Sequence, residues 1–156
     1  MSATARLSEL GIELPAAPPP VGLYRPALVV GNICYTSGHL PIAEDGSLIT
    51  GQVGHDLDQE AGCRAARRTG LAILATLQAT LGNLDRVRRV VKLFGMVNAT
   101  SEFDAHPAVI NGCSELFAEV FGEEAGVGAR SAMGAGSLPR NVCVEIEAIF
   151  DVEPAN

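Results

Sequence analysis

The sequence predicts an α+β domain in which two helices cover one face of a β-sheet, in the order β-β-β-α-β-α-β-β. Three observations carry this reading. Runs of period-2 alternation occur near both ends of the chain, helical spacing is confined to two segments between them, and the strand-like and helix-like stretches are segregated rather than strictly alternating. A length of 156 residues fits a single domain able to bury roughly 70% of its unfolded surface.

In chain order, residues 1–20 end in LPAAPPP, which favours an extended polyproline-like arm, a tail or surface strap rather than packed structure. The domain proper is expected over 21–152, with a short tail at 153–156. VGLYRPALVVGNICYTSG predicts a hairpin turning at Gly31-Asn32, with Pro26 at a strand edge. Asp45-Gly46 marks a turn before a short third strand, Ser47 to Thr50. Asp56 to Leu81 has helical spacing with an apolar stripe through Leu71, Leu74 and Leu77, acidic residues in the first turns and Gly82 at the end. Gly62 and Gly70 inside it predict close packing against a strand or another chain, and Arg64, Arg67 and Arg68 form a solvated edge or an intersubunit ion pair. One strand is expected from about Arg86 to Val97. After an irregular connection, Pro107 suits the first turn of a second helix from about Ala108 to Phe121.

Composition excludes several function classes. The formal charge of −7 and the lack of a basic run disfavour nucleic-acid binding. Cys34, Cys63, Cys113 and Cys143 are far apart with no C-x-x-C pair, as for reduced core thiols in a cytoplasmic protein rather than a zinc site or a disulfide framework. The chain shows no signal-peptide pattern and no apolar run of about 18 residues, so no membrane association is expected. His39, His55 and His106 are isolated, without H-E-x-x-H spacing or a nucleophile elbow, and no metal is assigned. His39 reads as a hydrogen-bonded loop residue. Gly126-x-Gly128-x-x-Ser131 lacks the third glycine of a dinucleotide fingerprint and precedes a strand, so no nucleotide cofactor is implied.

The chemistry concentrates in the last stretch, GVGARSAMGAGSLPRNVCVEIEAIFDV. Val142, Val144, Ile146, Ala148 and Phe150 share one parity, and Glu145 and Glu147 lie on the other beside Cys143 and Ile149. Arg130 rises from a backbone of small residues, and its planar fork matches a carboxylate or phosphate. A nearby glutamate can hold water or move a proton. The plain alternative is a cross-strand ion pair of Arg130 with Glu147. Ser37-Gly38 offers a hydroxyl beside a glycine amide or is merely a turn. Tyr24 caps the core or faces a cleft, and Asn111 reaches a cleft or the surface.

Gly22-Leu23-Tyr24, Tyr35-Thr36-Ser37-Gly38-His39-Leu40-Pro41, Ala129-Arg130-Ser131 and Leu138-Pro139 followed by Val144-Glu145-Ile146-Glu147-Ala148 occur in an order and spacing that resemble the RidA (YjgF/YER057c/UK114) family from Val21 to Val152. The resemblance implies a chorismate-mutase-like α+β fold with a mixed sheet, a homotrimer with sheets facing inward, and clefts between subunits. It implies hydrolysis of enamines and imines such as 2-aminoacrylate to a 2-oxo acid and ammonia, with no cofactor bound. By matching positions, Arg130 holds the substrate carboxylate and Glu145 orients water and assists proton transfer. Tyr24, Ser37, the Gly38 amide and Asn111 line the cleft. The sequence departs from the family pattern at His39, where glutamine is usual, at Ala132, where cysteine is frequent, in a longer Asn98 to Pro107 connection, and in the extended arm. Two other readings stand beside the deaminase: a non-catalytic sensor or scaffold that binds small carboxylates, and an endoribonuclease, which the acidic charge and the lack of a paired-histidine or His-Lys set oppose.

Overall fold

The computed structural model describes residues 2–154. Helix α1 (Ala3–Glu9) opens the chain, so this part of the arm is packed structure and not an extended strap. Its physical basis is local: the Ser2 side chain accepts the Ala5 amide as an N-cap, and Ala3 and Leu7, four residues apart, bury one face. Arg6 Nε donates to the Glu119 carbonyl (2.9 Å) and the Thr4 amide to Asp85 Oδ1 (2.8 Å), tying the helix to its own chain. The proline-rich stretch begins only after this anchor.

Strands β1 (Ala27–Val30) and β2 (Ile33–Thr36) form the expected hairpin, with Gly31 at φ 63° supplying the positive φ of its turn. The third strand expected at Ser47 to Thr50 does not form. Leu48 bridges to Ile42 while Thr50 bridges to Val142, and Gly46 and Gly51 both take positive φ, so the segment changes partner before a ladder can start. Helix α2 (Gln59–Leu81) is capped by Asp58 and ended by left-handed Gly82. Strand β3 (Val87–Asn98), helix α3 (His106–Phe121, with Pro107 in its first turn), the single turn α4 (Glu123–Gly126), β4 (Ala129–Ala135) and β5 (Val144–Val152) complete the chain.

The five strands lie in the order β1-β2-β5-β3-β4, with β3 and β4 parallel and the other pairs antiparallel. Helices α2 and α3 cover one face. Leu74, Leu77, Ile110, Leu116 and Phe117 meet Val90, Ile146 and Phe150 from the sheet, and the Phe117 and Phe150 rings stand 5.7 Å apart. The glycines of α2 serve helix against helix, not helix against strand or another chain: a Cβ at Gly62 or Gly70 would press on Val109 or Leu116 of α3. Arg67 pairs with Glu119 within the chain (2.7 Å), and Arg68 Nε donates to the Ile42 carbonyl (2.7 Å).

The other sheet face is uncovered by the chain. Its rows follow from the registers: Leu28, Tyr35, Ile149 and Lys92, then Glu147, Phe94 and Ser131, then Glu145, Met96 and Met133. Leu28, Val30, Tyr35 and Met133 are exposed there.

Candidate functional site

Arg130 stands on β4 in register with buried Leu93 of β3, which turns its side chain to the helix-covered side at the edge of the sheet. There Nη1 donates to Asn111 Oδ1 (2.7 Å) and to Ser114 Oγ (3.1 Å), both on α3. One nitrogen carries both bonds. Nε and Nη2, the edge that matches a carboxylate fork, have no partner among the described residues. Beside the guanidinium lies a cleft of about 230 Å³ floored by Val90, Leu93 and Phe117. No ion pair joins Arg130 to Glu147 among the described residues, so the cross-strand alternative is set aside: Glu147 pairs with Phe94 on the uncovered face.

Glu145 lies opposite Met96 on that uncovered face. It is half-buried, and burial raises its pKa above the ordinary glutamate value, with the neighbouring charge of Glu147 adding to the rise. Gly38 lies directly against it: a Cβ there would meet the Glu145 carboxylate, the mobile end of that side chain, so glycine permits the carboxylate's present position. The Gly38 segment is clamped to β5 by His39 N donating to the Ile146 carbonyl (2.8 Å) and Ile146 N donating to the His39 carbonyl (3.1 Å). The His39 ring is buried between Ser37 and α2. Ser37 O can only accept, so Nδ1 donates to it (2.7 Å), leaving Nε2 to accept from the Thr76 hydroxyl (2.8 Å). Burial lowers the His39 pKa, consistent with a neutral ring that fixes the turn.

Ser37 and Tyr24 belong to the same groove as Gly38, which encloses about 690 Å³. Ser37 Oγ donates to the Arg25 carbonyl (2.6 Å), and the Tyr24 hydroxyl accepts from the Val21 amide (3.3 Å) while its own proton has no partner among the described residues. The expected site residues therefore fall into two sets. Arg130 and Asn111 are brought together, and so are Glu145, Gly38, Ser37 and Tyr24. Within one chain the sets do not meet, because Arg130 and Glu145 point to opposite faces and lie two strands apart, roughly 10 Å across the sheet and about 10 Å along it.

Ser114 was not singled out in the sequence, although its place three residues after Asn111 on a helix puts both on one side. Thr76 gave no signal, being 37 residues from His39. Burial raises the thiols of Cys34 and Cys63 and pushes Cys143 up to about 11, so none is set up as a nucleophile. Among the described residues no three His, Cys, Asp or Glu side chains gather as for a metal, and no helix is long and apolar enough to cross a membrane.

A family described as "YjgF/chorismate_mutase-like, putative endoribonuclease" matches residues 4–150. The chain belongs to the RidA/YjgF family. Similar proteins include TCP17 of Trypanosoma cruzi, 43% identical over 95% of this chain and 92% of that protein. The 2-iminobutanoate/2-iminopropanoate deaminase of Dermatophagoides farinae is 28% identical over 91% of this chain and 95% of that one. Among solved structures, Atu1372 of Agrobacterium tumefaciens, a protein of unknown function, superimposes with a TM-score of 0.88 at 44% identity, covering 97% of this chain and 92% of its own. The match from residue 4 includes α1, the part of the arm that the fold packs against α3.

Proposed function

We propose that this RidA/YjgF protein hydrolyses 2-imino acids, and the enamines in equilibrium with them, to 2-oxo acids and ammonia. The reaction occurs in a cleft where the Arg130 edge of one copy meets the Glu145–Gly38 pocket of another, in a homotrimer whose uncovered sheet faces pack inward. The observation that carries this reading is the Arg130 guanidinium, held through Nη1 alone with its carboxylate-matching edge free. Because Glu145 of the same chain is on the opposite face, a substrate that needs both charges needs two copies. The exposed apolar side chains Leu28, Val30, Tyr35 and Met133 on the uncovered face give those copies a reason to associate.

In this scheme the substrate carboxylate takes both free donors of Arg130, which orients the imine carbon toward Glu145. Glu145 accepts a proton from water as the water oxygen bonds to that carbon. The C=N electron pair moves to nitrogen, which takes that proton back from Glu145 to give the neutral carbinolamine. Glu145 then takes the carbinolamine hydroxyl proton and delivers it to nitrogen, so that the C–N bond breaks, ammonia leaves and the carbonyl forms. The raised pKa of Glu145 makes it a stronger base than an exposed glutamate and a ready donor for the second half. The name of the Dermatophagoides farinae relative, a deaminase of two small 2-imino acids, supports the same chemistry here.

The test is turnover of 2-iminobutanoate generated in situ by an amino-acid oxidase. Wild type should release 2-oxobutanoate and ammonia, and Glu145→Gln should lose on the order of 10²-fold in rate while still binding 2-oxobutanoate. Binding of 2-oxobutanoate through Arg130 without any wild-type turnover would replace this reading with that of a carboxylate-binding sensor.

A further inference from the structure

The groove that starts at Gly38 is much larger than a small imino acid needs. Its volume of about 690 Å³ falls in the range of sites for drug-sized ligands, about 300–1,000 Å³. Pro18 and Pro19 form one wall, brought there by the arm that α1 anchors, and Ile42 and Leu48 form another. At the rim stands Arg140, the one lysine or arginine among the lining residues, which include no aspartate or glutamate. Its guanidinium has no hydrogen bond or ion pair among the described residues. Asp45, next in sequence to the lining residues Gly46 and Ser47, is engaged in its own turn: Oδ1 accepts the Ser47 amide (2.9 Å) and hydroxyl (2.6 Å).

Arg140 also sits in a left-handed conformation (φ 55°, ψ 24°), next to left-handed Asn141 (φ 58°). Asn141 is compensated, since asparagine tolerates this region, its Oδ1 accepts from Asn98 Nδ2 (3.2 Å) and its carbonyl accepts from the Gly51 amide (2.8 Å). Arg140 has no such compensation, and glycine would hold the same turn with less strain. What the arginine adds is a cation at the mouth of an apolar groove.

We propose that this groove receives the substrate side chain and that Arg140 binds an anionic group at its far end, which makes 2-imino dicarboxylates with several methylenes between the carboxylates the preferred substrate class. This rests on the deaminase reading above. The 2-carboxylate goes to Arg130, the imine carbon to Glu145 and Gly38, the methylenes to the proline, Ile42 and Leu48 walls, and the second carboxylate to Arg140.

The experiment compares 2-iminoadipate with 2-iminobutanoate, which carries no second carboxylate for Arg140, both generated in situ by amino-acid oxidases and presented to the full-length assembled protein. Arg140→Gly removes the guanidinium and relieves the backbone. The expected result is at least about a tenfold loss in kcat/KM for 2-iminoadipate, the scale of one hydrogen-bonded charge contact. The value for 2-iminobutanoate should change little, and Tm should hold or rise. Equal loss on both substrates would make Arg140 a structural part of the turn, and no loss on 2-iminoadipate would empty the far end of the groove; either result overturns this assignment alone. Absence of wild-type turnover of both 2-iminoadipate and 2-iminobutanoate would overturn the deaminase reading and this one with it.

Discussion

Arg130 and Glu145 carry the two charges of the candidate site, and they are held by different physical means. Arg130 is exposed at a sheet edge and positioned by polar tethers, two oxygens on α3 that share one guanidinium nitrogen. Glu145 is half-buried on a central strand and positioned by close packing against a residue without a side chain. A tethered cation keeps its hydration and its full charge, which suits binding. A packed carboxylate loses hydration, which raises its proton affinity and suits proton transfer. The fold places Arg130 and Glu145 on opposite faces, so association of copies becomes a condition of activity in the reading proposed above.

The largest effect expected from this division is complementation. Arg130→Ala and Glu145→Gln should each be nearly inactive, yet mixed, dissociated and reassembled in equal amounts they should recover about a quarter of the wild-type clefts, since each cleft needs one intact residue from each of two copies. Turnover assays on the reassembled mixture check this. A mixture as inactive as its parents would mean that one chain supplies both charges and that the division is irrelevant.

Gly38→Ala tests the packed half alone. The new methyl group takes space that the Glu145 carboxylate now occupies; as that carboxylate is the free end of a flexible side chain, it swings aside at little cost in stability, while turnover, which depends on its position, falls. Denaturant melts and rates measured together would show it; an unchanged rate would detach Gly38 from the reaction. On the tethered half, Arg130→Lys keeps the charge but loses the fork, and affinity for 2-oxobutanoate should fall about tenfold by calorimetry. Equal affinity would remove the two-point contact. Glu147→Gln, on the same face as Glu145 but without contact to Gly38, should leave the rate near wild type.

How much of this was legible in the sequence depended on how local each cause was. The alternation from Val142 to Asp151 is local, and the buried parity of β5 follows it residue by residue. Arg130 stood out because its neighbours are small. That Arg130 and Glu145 face opposite ways was not legible: each strand's parity can be read alone, but comparing them needs the registers Arg130 to Leu93 and Glu145 to Met96, which are properties of the sheet. The extended arm expected over 1–20 gives way to a helix at Ala3–Glu9, because the Ser2 cap and the Ala3, Leu7 spacing act near the start of that stretch and the prolines that favour extension come only at its end. The strand expected at Ser47 to Thr50 failed for a similar reason, since alternation over four residues does not say whether one partner is available along its whole length. Arg140 was missed because positive φ at a non-glycine residue leaves no mark in composition.

The smallest expected effect is on stability, and its sign separates a lone carboxylate from a paired one. The folded-state pKa of Glu145 is raised, so the stability it contributes is fully present below its unfolded value, about 4.3, and is lost as pH rises through the folded value. At neutral pH its ionised form therefore disfavours the native state, and Glu145→Gln should raise Tm, with the gain shrinking as pH falls toward 4. In the assembled protein, Arg130 of another copy would offset part of that penalty, so the gain at pH 7 should be larger in an Arg130→Ala background than in wild type. Melts of all four proteins at one concentration complete a double-mutant cycle. Groups as far apart as these two are within a single chain normally add to within about 0.5 kcal/mol, whereas contact across copies gives a coupling of about 0.5–3 kcal/mol. Additive Tm shifts at pH 7 would show that the two charges never meet, and the tethered cation and the packed carboxylate would then belong to separate sites.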